Sequence, residues 1–139
     1  MVDEVFSPDD LFEVLKRSDY LVVACPLTAE TRGLLGNREL TAMKSSDAVL
    51  INIARGEIVD EDALTRVLQQ DGIRGAALDV FAEEPFSGDS PLWTLSNVVM
   101  TPHMAGSTPA KSERIAEIFA TNLEAYVNDD PTAFVNRVV

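Results

Sequence analysis

Apolar and polar positions along the chain follow two alternating patterns. Short runs rich in apolar and β-branched residues are typical of strands buried in a parallel sheet, and the stretches between them carry apolar residues at helical spacing. Strands separated by helices of this length favour right-handed βαβ crossovers, and therefore an α/β fold with a mainly parallel sheet. The predicted strands are 20–25, 48–53, 75–80 and 97–101. One predicted helix begins after Ser7, and three others cover 38–44, 60–70 and 107–127.

Two of these elements carry more detailed expectations. Ser7 and Pro8 form a good helix start, since a hydroxyl can cap the first turn and proline fits within it. The run from Tyr20 to Cys25 is continuously apolar and ends at Pro26, which predicts a strand buried on both faces. We find no internal repeat, low-complexity segment or domain linker.

The length of 139 residues, of which 46% are hydrophobic, supports one globular core. The chain contains no apolar run long enough to span a membrane, and its opening MVDEVFSPDD is acidic where a secretory signal would be basic. Cys25 is the only cysteine, so one chain can build neither a disulfide nor a zinc site based on cysteines. These features predict a cytoplasmic protein with no membrane partner and no metal site.

The charge balance is strongly acidic, with 23 acidic residues against 11 basic ones and a formal net charge of −12. The basic residues form no cluster that could follow a phosphate backbone, so we expect no nucleic-acid partner. Two explanations of the charge stay open. The chain is an ordinary acidic protein, or it is adapted to high salt, which favours acidic surfaces that are poor in lysine.

Polar residues follow each predicted strand at its carboxyl end. Because parallel strands end at a common edge of the sheet, we expect Arg55, Asp79, Glu84 and His103 to lie near one another. An arginine binds a carboxylate through paired hydrogen bonds, and a histidine beside a carboxylate exchanges protons near neutral pH. None of these residues supplies a redox electron pair, so an oxidoreductase built on them takes its hydride from a nucleotide cofactor.

Taken singly, each of these residues also has an ordinary structural interpretation. A histidine after a strand is often structural, and Arg55 with Gly56 could form a surface turn. Cys25 could be a small buried apolar residue, and Trp93 could pack beneath its loop.

Several ordered motifs nevertheless occur together between about Asp19 and the end of the chain, and they resemble those of the D-isomer-specific 2-hydroxyacid dehydrogenases. A set of motifs in order is far more specific than one short match. The motifs are CPLTAETRGLLG (25–36), INIARGEIVDEDAL (51–64), ALDVFAEEP (77–85), SPLW (90–93) and TPHMAGST (101–108).

The resemblance implies a function and a set of site residues. The fold would be the C-terminal half of a Rossmann-type doubly wound parallel sheet with a long C-terminal helix, and the enzyme would oxidise small D-2-hydroxy acids or reduce 2-oxo acids. In the family pattern Arg55 binds the substrate carboxylate, Glu84 pairs with His103, and His103 transfers the proton; these three are the implied catalytic residues. The cofactor would be NAD or NADP, with NAD favoured, and the full-length protein would be a homodimer. The contacts with the cofactor would come from Cys25, Pro26, Thr31, Ile53, Ala54, Arg55, Asp79 and His103.

The main departure from the family is the absence of a Gly-x-Gly-x-x-Gly turn, which normally binds the pyrophosphate, and of a substrate domain. Residues 1–139 are therefore expected to form a single partial NAD(P)-binding domain, with a helix and tail over about 107–139. The chain looks like the C-terminal part of a longer enzyme, whether a gene fragment or a shortened version, that is inactive alone. A nucleotide-sensing or corepressor module is the alternative, and a degenerate fragment without function is a third possibility.

Overall fold

The computed structural model describes residues 2–43 and 47–137. It contains helices and strands in the alternating order that the sequence predicts. The strands are β1 (Tyr20–Val23), β2 (Val49–Asn52), β3 (Gly75–Leu78) and β4 (Val98–Met100); the helices are α1 (Leu11–Arg17), α2 (Asn37–Thr41), α3 (Glu61–Gln69) and α4 (Lys111–Val127); and short 3-10 helices cover Pro8–Asp10, Gly56–Ile58 and Pro91–Thr94.

The four strands form one parallel sheet in the order β1-β2-β3-β4. Each strand therefore lies beside the next one in sequence, and the loops that leave β2, β3 and β4 emerge side by side at the carboxyl edge. This confirms the predicted α/β class and brings the motifs of the three loops to one end of the sheet.

The two faces of the sheet differ in burial because side chains alternate along each strand. One face packs into the core with Leu15, Leu40, Leu64 and Leu68, and it presents Leu50, Ala76 and Leu78. The other face presents the register row Val22, Ile51, Ala77 and Val99, of which Val22 and Val99 are 52% and 66% exposed.

The prediction that the first strand is buried on both faces is therefore wrong. Tyr20 and Val22 are more than half exposed, whereas Val23 is buried. The physical reason is that β1 lies at the edge of the sheet and only one of its faces contacts the core. An apolar run alone does not distinguish an edge strand from a central one.

The helix ends follow local capping chemistry. Asp60 accepts the Ala63 N–H at 2.9 Å and caps α3, as the predicted range 60–70 requires. The helix predicted for 38–44 spans Asn37–Thr41, and Lys44 lies outside the described residues. The helix predicted from 107 begins at Lys111, because Pro109 disfavours helical backbone at Thr108.

The chain divides into two compact units, Met1–Met104 and Ala105–Val139. In the second unit the tail folds back on α4, since Asn122 exchanges two hydrogen bonds with the main chain of Val135, at 2.9 and 3.2 Å. Phe119 and Tyr126 on this helix are 67% and 75% exposed. Among the described residues no helix is both long and apolar enough to cross a membrane.

Candidate active site

The side chains of Glu84 and His103 form a direct pair at the carboxyl edge of the sheet. Glu84 follows β3 and His103 follows β4, and Nδ1 of the imidazole lies 2.8 Å from Oε2 of the carboxylate. Both side chains are partly open, with 38% and 46% of their surfaces exposed. The pair is thus held together and is also accessible to a ligand.

The hydrogen bond fixes which imidazole nitrogen carries the hydrogen. An ionised carboxylate only accepts hydrogen bonds, so Nδ1–H of His103 is the donor to Glu84. In the neutral ring Nε2 then carries a lone pair, and in the charged ring it carries a transferable proton. The arrangement therefore leaves Nε2 for proton exchange with a ligand.

The surroundings of Glu84 favour the ionised form of its carboxylate. His103 holds the pKa of Glu84 below its ordinary value of 4.5 through the hydrogen bond, and the Phe81 N–H, donated to Oε1 at 3.1 Å, acts in the same direction. The charges of His103 and Arg55 lower the pKa further. Near neutral pH the histidine consequently faces a fixed negative charge.

The backbone of His103 adopts a left-handed conformation, with φ of 51°, which non-glycine residues rarely occupy. The buried residue Asp79 holds this turn. Its carbonyl accepts the His103 N–H at 2.8 Å, and its carboxylate accepts the Met104 N–H at 2.9 Å and the Thr101 hydroxyl. Asp79 therefore shapes the loop that carries the histidine.

Arg55 lies on the neighbouring loop, which leaves β2. The buried side chain of Asn52 braces this loop, since Nδ2 donates to the carbonyl of Arg55 at 3.0 Å and Oδ1 accepts the Ala54 N–H at 3.1 Å. The guanidinium is exposed and donates from Nη1 to the carbonyl of Ala54 at 2.6 Å. Its positive charge lowers the pKa of Glu84, although the guanidinium takes no part in the Glu84–His103 hydrogen bond.

A cavity of about 390 Å³ adjoins the histidine pair. Phe86 stacks on Phe81 with ring centroids 4.0 Å apart and contacts Trp93 at 5.6 Å, which gives the cavity an aromatic wall. Trp93 is 55% exposed, and the residue buried beneath this loop is Leu92, so the expectation that Trp93 packs beneath the loop is wrong. The lining residues are Phe81, Glu84, Pro85, Phe86, Trp93, Met100, Thr101, Pro102 and His103.

The expected cofactor residues lie on the loops after β1, β2, β3 and β4. Pro26 is exposed, whereas Cys25 is partly buried against the core. The Thr31 hydroxyl donates to the carbonyl of Pro26 at 2.7 Å and accepts the Thr28 N–H at 2.7 Å, so it fixes the shape of the first loop. The side chain of Thr31 therefore stabilises the first loop.

The second loop presents an apolar surface beside Arg55. Ile53 is 46% exposed at the end of β2, whereas Ala54 is buried. An exposed isoleucine at this edge, next to Arg55 in sequence and two loops away from His103, fits the face of a flat, weakly polar ring such as nicotinamide. The described residues fit the nicotinamide end of a dinucleotide, while the sequence contains no glycine-rich turn for its pyrophosphate.

Sequence reasoning missed three residues that shape the site. Asn52 and Thr101 hold the loops of Arg55 and His103, and Gly56 lies against the main chain of Phe81 and Ala82. One signal was available for Asn52, which interrupts an otherwise apolar run and is therefore expected to bind a backbone group. The other two contacts depend on loop geometry that the sequence does not encode locally.

Comparison with known proteins gives consistent matches. The profile of the family described as "D-isomer specific 2-hydroxyacid dehydrogenase, NAD binding domain" matches residues 1–105. Glyoxylate reductase of Thermococcus gammatolerans is 46% identical over 130 residues, which cover 93% of this chain and 38% of that protein. Glyoxylate/hydroxypyruvate reductase B of Pectobacterium carotovorum is 46% identical over 121 residues, covering 87% of this chain and 38% of that protein.

A solved structure shares the fold. The D-isomer specific 2-hydroxyacid dehydrogenase of Xanthobacter autotrophicus, in complex with NADPH and MES, superposes with a TM-score of 0.83 at 37% identity and covers 94% of this chain and 52% of that one. This likeness confirms the Rossmann-like α/β fold. The names of these relatives do not favour the alternative of a nucleotide-sensing or corepressor module.

The chain spans 38% of the length of the two reductases. The family profile covers most of the chain, and its match includes the strands, Arg55, the Glu84–His103 pair and the turn held by Asp79. This chain therefore belongs to the D-isomer specific 2-hydroxyacid dehydrogenase family, and its residues 1–105 match the NAD-binding domain of that family.

Proposed function

We propose that this chain supplies the proton-transfer and carboxylate-binding groups of an NAD(P)-dependent dehydrogenase that interconverts small 2-oxo and D-2-hydroxy acids. The observation that carries the proposal is the 2.8 Å contact between His103 Nδ1 and Glu84 Oε2, on the loops after β4 and β3, the second of which is adjacent to the Arg55 loop. This combination provides an acid/base and a carboxylate receptor at one edge of the sheet.

In the reductive direction each of the three residues has a distinct task. A nicotinamide supplies the hydride when bound. Arg55 binds the substrate carboxylate and draws electron density from the neighbouring carbonyl. His103 donates the proton from Nε2 to the forming alkoxide, and Glu84 stabilises the imidazolium beforehand and keeps Nε2 toward the substrate. In the oxidative direction the neutral ring accepts the hydroxyl proton at the same atom.

Cys25, Pro26, Thr31, Ile53, Ala54, Arg55, Asp79 and His103 are proposed to contact the cofactor. In this assignment Ile53 faces the nicotinamide ring, which its exposed position supports. Asp79 would act at the carboxamide, and it also holds the His103 turn in the structure. We propose NAD or NADP as the cofactor, with glyoxylate and hydroxypyruvate as the first substrates to test, since the named relatives reduce them.

The proposal also covers the compartment and the oligomeric state of the protein. A single free cysteine, Cys25, fits a reducing cytoplasm, and the resemblance implies a homodimer. The 139-residue chain alone is expected to bind dinucleotide weakly and to turn over little, because it lacks the glycine-rich turn.

A chimaeric enzyme tests the function directly. Residues 1–139 would replace the matching segment of the Thermococcus gammatolerans reductase, and oxidation of NADH and NADPH would be followed with glyoxylate, hydroxypyruvate and pyruvate. We expect turnover in the chimaera and a loss on the order of a hundredfold or more in kcat for His103→Ala. Arg55→Ala should mainly raise KM for the 2-oxo acid, because a carboxylate contact is lost.

Arg32→Ala is the matched control, since Arg32 is exposed and its partner, at 3.6 Å, is Glu57. It should leave both kinetic constants nearly unchanged. A chimaera that folds and binds NADH, yet is equally active with and without His103, would contradict the assignment.

A further inference from the structure

The loop that carries Glu84 is held against the loop that carries Arg55. Gly56 is buried, and a Cβ atom at this position would lie 1.9 Å from the carbonyl carbon of Phe81 and 2.2 Å from the nitrogen of Ala82. The Phe81–Ala82 peptide group therefore rests directly on the main chain next to Arg55, and only glycine permits this approach.

Glu61 holds the same peptide group. It is the first residue of α3, and its Oε2 accepts the Ala82 N–H at 3.1 Å across 21 positions of sequence. The helix start does not need this carboxylate as its cap, since Asp60 accepts the Ala63 N–H. The side chain of Glu61 is thus directed at the loop rather than at its own helix.

The N–H group of Phe81, the residue before Ala82, binds Glu84. Phe81 N–H donates to Glu84 Oε1 at 3.1 Å, while Oε2 of the same carboxylate accepts from His103 Nδ1. Two consecutive backbone N–H groups therefore bind two carboxylates, one that fixes the loop from outside and one that orients the histidine. These N–H groups belong to two successive peptide groups that share the Cα atom of Phe81, so a displacement of Phe81 would disturb both contacts.

We propose that Glu61 is a positioning residue for the proton transfer: by holding the Ala82 N–H, it keeps Glu84 in the orientation that maintains the Nδ1–H form of His103. The role in proton transfer rests on the proposed function, whereas the effect on His103 is a property of the chain itself. The two are therefore tested by different measurements.

Long-range ¹H–¹⁵N NMR of the 139-residue chain at neutral pH measures the effect on His103. The chain contains one histidine, so its ring signals need no assignment. Glu61→Met keeps the stem of the side chain but removes the acceptor. The ratio of Nδ1–H to Nε2–H ring should fall about fivefold, the effect of losing one hydrogen bond, toward the value in Glu84→Ala.

Two further variants separate the hydrogen bond from the charge. Glu61→Gln keeps a carbonyl oxygen that accepts from Ala82, and it should preserve the wild-type ratio. Asp62→Met removes a charge from the next, exposed position of the same helix turn, and it should also leave the ratio unchanged. The proposal would be overturned if Glu61→Met and Asp62→Met gave the same ratio of Nδ1–H to Nε2–H ring. It would also be overturned if Glu61→Gln lowered this ratio as much as Glu61→Met does.

Amide hydrogen exchange in the unmodified chain provides a test that does not depend on a variant folding. The Ala82 amide should exchange slowly although Ala82 is exposed, since its N–H is bound to Glu61. Exchange at the rate of a free loop amide would overturn the proposal. In the active chimaera Glu61→Met should lower kcat with little change in KM; an inactive chimaera would contradict the proposed function and leave the NMR result standing.

Discussion

Asn52 binds the loop of Arg55 from beneath: its Nδ2 lies 3.0 Å from the carbonyl oxygen of Arg55, and its Oδ1 accepts the Ala54 N–H at 3.1 Å. The side chain is only 1% exposed. A single amide at the end of β2 therefore satisfies two backbone groups that the strand no longer pairs. This amide therefore positions the backbone of Arg55, the residue that we propose binds the substrate carboxylate.

Asn52→Ala should consequently destabilise the chain by about 2–3 kcal/mol, because it leaves the buried Ala54 N–H without its partner and removes one of the two donors to the Arg55 carbonyl. Urea unfolding followed by the fluorescence of Trp93, the one tryptophan, measures the first unit. Asn97→Ala is the control, since it removes a single longer bond, 3.3 Å from Nδ2 to the carbonyl of Leu68. Equal losses in the two variants would contradict the assigned role of Asn52.

Asp79 has a comparable role for the histidine loop, because its buried carboxylate accepts the Met104 N–H and the Thr101 hydroxyl. We expect Asp79→Ala to cost about 3 kcal/mol in the same unfolding experiment, as hydrogen bonds to a charged group are lost. Asp79→Asn keeps one acceptor oxygen and should lose less. A variant without the carboxylate that unfolds at the wild-type urea concentration would refute this account.

The sequence predicted the parts of this arrangement that depend on periodicity. Apolar runs located the four strands, and the rule that parallel strands end at one edge predicted that Arg55, Asp79, Glu84 and His103 would lie near one another. The pairing of Glu84 with His103 was implied by the family resemblance. The sequence could not predict the exposure of Tyr20 and Val22, since an edge strand has the same apolar pattern as a central one.

The contacts that position the site depend on loop conformation instead. The Ala82–Glu61 bond and the approach of Gly56 to Phe81 join segments more than twenty residues apart, and each requires a particular path of both loops. Residue type alone shows that a glutamate can accept a hydrogen bond and that a glycine permits another segment of main chain to approach closely. It does not show which partner lies within reach.

Gly56→Ala should test the close packing of the two loops. The added methyl group would overlap the Phe81 main chain, which cannot move without displacing Glu84, so we expect a loss of about 3 kcal/mol or more in unfolding free energy. Gly88→Ala adds the same group where no atom lies within 4 Å and should change stability by less than about 0.5 kcal/mol. Similar stabilities for the two variants would show that the loops are not in contact.

The excess of acidic residues predicts a salt-dependent stability. Between about 0.1 and 1 M KCl the screening length falls from about 10 to 3 Å, so repulsion among surface carboxylates weakens and the melting temperature should rise. Neutralising Glu83, Asp89 and Glu117 reduces the net charge of −12 by three and should make the rise smaller. A melting temperature that does not rise with KCl would count against adaptation to high salt.

The depressed pKa of Glu84 gives the pairing with His103 a defined pH dependence. A carboxyl group whose pKa is lower in the folded chain than its ordinary 4.5 binds protons more weakly when folded, so its contribution to stability is complete above 4.5 and is lost as the pH falls through the lower folded value. The stability difference between the wild-type chain and Glu84→Gln should therefore be largest above pH 4.5 and shrink on acidification. Urea unfolding at a series of pH values measures it, and Glu83→Gln, which removes a charge one position earlier, isolates the contribution of the His103 contact. A difference that grows as the pH falls would mean that the carboxylate is not the form that the fold stabilises.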